Sequence, residues 1–251
     1  MDYQRIRDFI LSYSRDDEGI LGDIYKEAVS QGVPIIRKEA RDLLVTLLHM
    51  NRPERVLEIG TAVGYSTLVI ARTLDDMYSC DKTYLCDETK LCSVTNSGVE
   101  SCRDVAEIKW HIDTCEMDKD RISQARKNIS LMSMNERISL YEGDAEDILD
   151  GLYRDGNKCV YDFIFIDAAK AQYMSYLDKS LKLSHNGTLI VTDNILADGD
   201  VLESHFLVEK RDRTIHDRMR EYLYRIKNDK NLETAILSVA DGMAVSVVRD
   251  L

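Results

Sequence analysis

Asp167, Lys170, Asp193 and Asn194 are the residues of this 251-residue chain whose types and spacing suit a single reaction centre. Each acid closes a short apolar run, Tyr161-Asp-Phe-Ile-Phe-Ile-Asp167 and Gly187-Thr-Leu-Ile-Val-Thr-Asp193-Asn194, of the kind that forms a buried parallel strand. Strands of one parallel sheet end at one rim, so two carboxylates and an amide oxygen would meet there. That all-oxygen set suits Mg²⁺, Mn²⁺ or Ca²⁺, and with no histidine or cysteine beside it zinc is disfavoured. Taken singly, an acid after a strand is more often a helix N-cap than a ligand; the two acids together with Asn194 turn the reading toward a cation site. Lys170 stands near the start of the next helix, an end where the macrodipole does not favour a cation. Like charge from a bound divalent ion would favour its neutral form and make it a general base for a hydroxyl on that ion.

A second constellation lies in Val56-Leu-Glu-Ile-Gly-Thr-Ala-Val-Gly-Tyr-Ser66. Apolar residues around Glu58 read as a strand, Gly60 ends it, and helical periodicity begins at Tyr65. Glycines at such a turn let a ligand approach the backbone, but the three-glycine dinucleotide fingerprint and the P-loop lysine are missing. Nicotinamide and triphosphate are therefore disfavoured, and the acid at Glu58 suits a cationic ligand. A turn of this kind also occurs with no cofactor at all, so a noncatalytic binding module is the rival from another class.

The elements that must position these groups follow the chain. Residues 3 to 31 have helical spacing with Gly32 as a stop, Val33-Pro-Ile-Ile is extended, and Ala40 to His49 is an amphipathic helix. The helix after the glycine turn is expected to end near Thr73. An acid for a ribose is expected roughly 20 residues after the turn, yet the fitting one, Glu116 at the end of the run from Ile108, comes much later. Residues 77–107 are thus an insertion, read as a surface hairpin or lid. It carries Cys80, Cys86, Cys92 and Cys102 with no C-x-x-C pair, which argues against zinc. Asp118 caps a helix to about Leu131, Arg137 to Glu142 is a strand, and Gly143-Asp-Ala-Glu-Asp147 turns into a helix, where Asp144 reads equally well as an N-cap. Glu233 to Val239 and Met243 to Arg249 flank an Asp241-Gly242 turn as two final strands.

Composition narrows the classes. The length and the 44% apolar content fit one α/β domain over residues 1–251 with extra N-terminal helices in 1–50. No apolar run nears the roughly 20 residues of a membrane span, and the first residues lack a secretory apolar stretch, so a cytoplasmic chain with free thiols is expected. A net charge of -12 opposes nonspecific nucleic-acid binding. Residues 206–230 run against that trend, with eight Lys or Arg to five Asp or Glu, a pattern shared by solvated helix faces and phosphate contacts.

The motifs E-I-G-T-x-x-G-Y-S, the Glu116 strand, G-D-A, F-I-D-A-A-K and T-D-N-I-L, in that order from about Val33 to Val248, resemble the metal-dependent, S-adenosylmethionine-dependent class I O-methyltransferases related to catechol and caffeoyl-CoA methyltransferases. The insertion is the one large departure. The resemblance implies a doubly wound, Rossmann-like sheet of about seven mostly parallel strands. It assigns the methionine portion of the cofactor to Ile36, Glu58, Gly60, Thr61, Tyr65 and Ser66, the ribose to Glu116, the adenine side to Asp144 and Ala145, and the metal to Asp167, Asp193 and Asn194. Asp167 also borders the cofactor, and Lys170 takes the proton. The basic stretch and Val33-Pro-Ile-Ile-Arg-Lys-Glu39 are similar to the bacterial branch that methylates 5-hydroxyuridine at the tRNA wobble position, with a small catechol or hydroxycinnamoyl thioester as the alternative acceptor. Ala244 stands where mammalian-type catechol enzymes carry a glutamate. Family members are commonly homodimers.

Overall fold

Alternation decides which residues face which layer. Along the strand Arg55–Ile59 (β1), Val56 joins one apolar cluster while Leu57 and Ile59 join the other. Along Tyr161–Ile166 (β4), Phe163 and Phe165 face the first cluster, and Ile164 and Ile166 the second. A strand apolar on both faces needs a helical layer on each side, which is the doubly wound arrangement. The computed structural model describes residues 3–84, 109–154 and 160–250 and shows that arrangement.

Three helices, Tyr3–Leu11 (α1), Gly19–Ser30 (α2) and Lys38–Asn51 (α3), precede β1. Then come Tyr65–Tyr84 (α4), His111–Glu116 (β2), Lys119–Leu131 (α5), Ile138–Glu142 (β3), Ala145–Arg154 (α6), β4, Tyr173–Lys182 (α7), Ser184–Thr192 (β5), Arg213–Asn228 (α8), Leu232–Leu237 (β6) and Met243–Val248 (β7). The strands form one sheet in the order β3-β2-β1-β4-β5-β7-β6. All pairings are parallel except those of β7, which runs antiparallel to both β5 and β6. The chain leaves β1 toward β2 and β3, then returns to the other side of β1 for β4 and β5. That reversal opens a crevice beyond the carboxyl ends of β1 and β4.

The helix after the glycine turn does not stop near Thr73. With no glycine or proline until Gly98, α4 continues to Tyr84 and takes up the first part of the expected insertion. The hairpin or lid expected over the rest, with Cys86, Cys92 and Cys102, lies outside the described residues. The Asp118 cap is as read: its carboxylate accepts from the backbone N–H groups of Asp120 and Arg121, both at 3.0 Å.

Candidate active site

A cleft of about 650 Å³ lies across the tips of β1, β2 and β4, a volume in the usual range for small-molecule sites. Gly60, Thr61 and Ala62 form its floor, and Ile36 covers it from the N-terminal segment. Glu116, Asp144 and Ala145 line one end, and Asp167, Lys170 and Asn194 the other. Eleven of the thirteen site residues read from the sequence, all but Glu58 and Asp193, therefore border one cavity, Tyr65 and Ser66 included.

Gly60 is required by this geometry. Its φ is +103°, and a Cβ built there would stand 2.1 Å from the Asp167 carbonyl oxygen. The two strand tips are that close because the Asp167 N–H donates to the Ile59 carbonyl at 3.0 Å, prolonging the β1–β4 ladder past its last paired residues. Glu116 locks the other side of the turn: its carboxylate accepts from the N–H groups of Ala62, Met117 and Asp118, each at 2.9 Å. Asp144 accepts from the Glu146 N–H at 2.7 Å, so it is an N-cap of α6 and a cleft residue at once.

Glu58 does not reach the cleft. It is 0% exposed and shares the face of β1 that carries Val56, beneath α4. Its carboxyl accepts from the hydroxyls of Ser66 at 2.7 Å, Thr114 at 2.6 Å and Thr67. Burial outweighs those donors and pushes its pKa up to about 7. Glu58 thus braces the strand against the helix that bears the glycine turn, in place of the cation contact its position beside the turn led us to expect.

The acids of β4 and β5 also sit at different depths. Asp167 borders the cleft, whereas Asp193 is 1% exposed and lies behind the wall. The Asn194 amide Nδ2 donates to Asp167 at 3.0 Å, and the Asn194 N–H donates to the Asp193 carboxylate at 2.7 Å. Asn194 holds a left-handed φ of +56° to do so, a conformation asparagine tolerates better than most residues. Burial raises Asp167, with Asn194 and Lys170 opposing. Burial and then the Asp167 charge push Asp193 up to about 7. Two buried carboxyls, both raised by burial and one of them further by the other's charge, are a donor set short of positive charge, and a hard cation would favour both charged forms. The residues fit such an ion once the Asn194 amide turns its oxygen toward it, the two amide orientations being alternatives at equal sterics.

Lys170 opens a 3₁₀ turn, Lys170–Gln172, with its Nζ 3.7 Å from Asp241. Asp241 is placed by the turn before β7, where the Leu196 and Ile195 N–H groups donate to the carbonyls of Asp241 and Gly242. Ala244, 1% exposed, pairs with Thr192 inside the sheet. Sequence reading missed three supporting groups. The Tyr173 hydroxyl donates to the Asp193 carbonyl at 3.1 Å. Arg37 lines the cleft and acts on Asp193 as a positive charge. Asp17 accepts from Tyr65 at 2.5 Å, Arg41 at 2.8 Å and Arg72 at 2.5 Å, joining the N-terminal arm to α4. The proline-bounded segment ending at Arg37 was the only local signal for any of them.

Part of the basic stretch 206–230 is engaged within the chain, while Lys210, Arg211, Arg218, Arg220, Lys227 and Lys230 stay exposed. Arg218 donates to the Ala171 carbonyl at 2.8 Å, Lys227 to that of Thr234 at 2.7 Å and Arg213 to that of Val208 at 3.2 Å. Arg225 pairs with Asp229, and Arg211 with Glu209 and Asp212. No helix among the described residues is long and apolar enough to cross a membrane.

A seven-stranded, mostly parallel sheet with a ligand-sized cleft at its topological switch defines the Rossmann-like methyltransferase fold. The structure of an O-methyltransferase from Bacillus cereus in complex with SAH superposes with a TM-score of 0.74 at 22% identity, covering 98% of this chain and 97% of that one. Residues 108–249 match the family model described as O-methyltransferase, and the chain belongs to that family of enzymes. Among its relatives are a catechol O-methyltransferase of Niastella koreensis, 28% identical over 82% of this chain and 78% of that protein, and a probable caffeoyl-CoA O-methyltransferase of Dictyostelium discoideum, 24% identical over 94% and 90%.

Proposed function

We propose that the protein methylates one hydroxyl of a small vicinal diol, with S-adenosylmethionine as donor and a divalent ion of the Mg²⁺ class held by Asp167, Asp193 and Asn194. The observation that carries this reading is the shared wall: Asp167, Lys170 and Asn194 line the end of the cleft opposite Glu116 and Asp144. Attack of an oxygen on a sulfonium methyl needs in-line positioning and the loss of one proton, with no protein nucleophile. When bound, the ion would supply Lewis acidity and a fixed seat for two neighbouring oxygens. Lys170 takes the hydroxyl proton on its Nζ, and Asp241 accepts from the resulting ammonium. Glu116 holds the ribose hydroxyls, Asp144 and Ala145 border the adenine, and the Gly60–Ala62 turn with Ile36, Tyr65 and Ser66 encloses the methionine end. Glu58 acts from beneath by fixing Ser66.

Support for the donor comes from the family, from the cleft and from the SAH-bound structural neighbour. Support for a diol comes from the catechol and caffeoyl-CoA named in the relatives. The tRNA wobble uridine, drawn from the basic stretch and from Val33-Pro-Ile-Ile-Arg-Lys-Glu39, is the alternative acceptor; Arg213, Arg218, Arg225 and Lys227 of that stretch already have partners within the chain. A homodimer through the N-terminal helices belongs to the same proposal, since Phe9, Ile10 and Tyr13 are exposed there. Methyl-labelled S-adenosylmethionine offered with Mg²⁺ and, separately, catechol, caffeoyl-CoA and hydroxyuridine-bearing tRNA tests the acceptor. Label is expected on a small diol and lost on chelation. Label on the tRNA alone would move the acceptor and keep the chemistry, and label on none of them would overturn the reading.

A further inference from the structure

His205, His216 and Asp217 lie outside the cleft, and their nitrogen and oxygen ligand atoms are all within 4.8 Å of one another. Asp217 and His216 are neighbours in the first turns of α8, while His205 comes from the loop between β5 and that helix. One carboxylate oxygen, Asp217 Oδ1, stands 2.8 Å from His205 Nδ1 and 2.9 Å from His216 Nδ1. The other nitrogen of His216, Nε2, is 3.1 Å from the Glu203 carbonyl oxygen.

That last contact fixes the chemistry of the ring. A carbonyl only accepts, so Nε2 carries the hydrogen. In the neutral ring Nδ1 is then a lone pair, and it points at a carboxylate oxygen. Two acceptors do not rest 2.9 Å apart unless a proton or a cation lies between them. A metal ion meets the same need while leaving the ring neutral. An imidazole whose outer N–H is held by a backbone carbonyl is the usual support of a metal-bound histidine.

We propose that His205, His216 and Asp217 form a binding site for a borderline transition-metal ion such as Zn²⁺, Co²⁺ or Ni²⁺, separate from the hard-cation site of the cleft. Two imidazoles and one carboxylate suit those ions better than Mg²⁺. With bonds of about 2.0 Å, tetrahedral ligand atoms lie roughly 3.3 Å apart, so the present spacings need open only slightly. His205 and Asp217 have the freedom to adjust, their side chains being 40% and 51% exposed, and the same exposure gives the ion an entry path. The site would pin the loop around Glu203 and His205 to α8. The Arg218 guanidinium on the next residue of that helix donates to the Ala171 carbonyl, inside the turn that carries Lys170. The ion is therefore a structural clamp behind one wall of the cleft.

Co²⁺ titration in excess Mg²⁺, followed by visible absorption and by calorimetry, tests this on the full chain. One Co²⁺ should bind with a spectrum of nitrogen and oxygen ligation, and it should bind equally well to Asp193→Asn, which removes the cleft's own ligand. His205→Ala and Asp217→Asn, both on exposed side chains, should each weaken it by about tenfold or more. Unchanged affinity in both variants, no Co²⁺ bound, or a sulfur-to-cobalt charge-transfer band accounting for all the metal would overturn the proposal. Loss of binding in Asp193→Asn would overturn it as well by placing the ion in the cleft, whereas failure of methyl transfer bears only on the cleft.

Discussion

Lys170 and Asn194 border the cleft within the same wall as Asp167, and the substitutions that matter most are there. Lys170→Ala is expected to lower kcat by about 10²–10⁴-fold while leaving equilibrium S-adenosylmethionine binding unchanged, as read by stopped-turnover kinetics beside calorimetry. Asp193 binds a cation only when charged, and its pKa is raised to about 7 by burial and then by Asp167. Below that value protons compete with the metal, so Mn²⁺ affinity should fall as pH drops from 8 to 6 and level off above. Glu58 shows the opposite side of burial. Its folded pKa of about 7 lies above the ordinary 4.5, so the unfolded chain loses the proton first and stability falls as pH rises from 4.5 through 7. The loss attributable to this fully buried group is about 2–3 kcal/mol between pH 5 and 8. Glu58→Gln should remove it, gaining on the wild type in urea melts at pH 8 and not at pH 5. The burial of Glu58 was readable in principle, since it shares strand parity with Val56 and has Ser66 and Thr67 in the first turn of α4. Proximity to the glycine turn outweighed that signal. Tyr173, Asp17 and Arg37 act across long sequence separations, and apart from the proline-bounded segment ending at Arg37 no local pattern marks them.

At the scale of elements, the strand tips place the chemistry, and their order was open to sequence reading. Runs apolar on both faces announced β1, β4 and β5 as interior parallel strands, and the acids at their ends marked the rim. The Asp118 cap and the turn at Gly143 follow from local capping rules that tertiary packing leaves intact. The extent of α4 did not emerge: the expected end near Thr73 has no glycine or proline to enforce it, and the helix runs on to Tyr84. Depth also stayed hidden: a strand-terminal acid can face the cleft, as Asp167 does, or lie a layer below, as Asp193 does. Gly60 is the sharpest test of the turn. Gly60→Ala would combine a left-handed φ with a backbone clash against Asp167, and should cost about 3 kcal/mol or more in urea unfolding. It should weaken cofactor binding in whatever fraction still folds.

For the molecule as a whole, the N-terminal arm is part of the site. Asp17 takes three donors from α3 and α4, and although burial pushes its carboxyl up, Tyr65, Arg72 and Arg41 together bring it below the ordinary range. Arg41 is 6% exposed at its side chain and keeps Asp42 as a second carboxylate partner, so Asp17→Asn weakens rather than empties this charge network and should cost about 1–3 kcal/mol, loosening the wall that carries Tyr65 and Ile36. The measurement that goes most directly to the centre of this reading is Mn²⁺ binding followed by electron paramagnetic resonance. The wild type should hold one Mn²⁺ that Mg²⁺ displaces, Asp167→Asn and Asp193→Asn should each lose it, and His205→Ala should keep it. A wild type that binds no Mn²⁺, or one whose Mn²⁺ survives both acid substitutions, would contradict the assignment of the cleft as a metal-dependent methylation site.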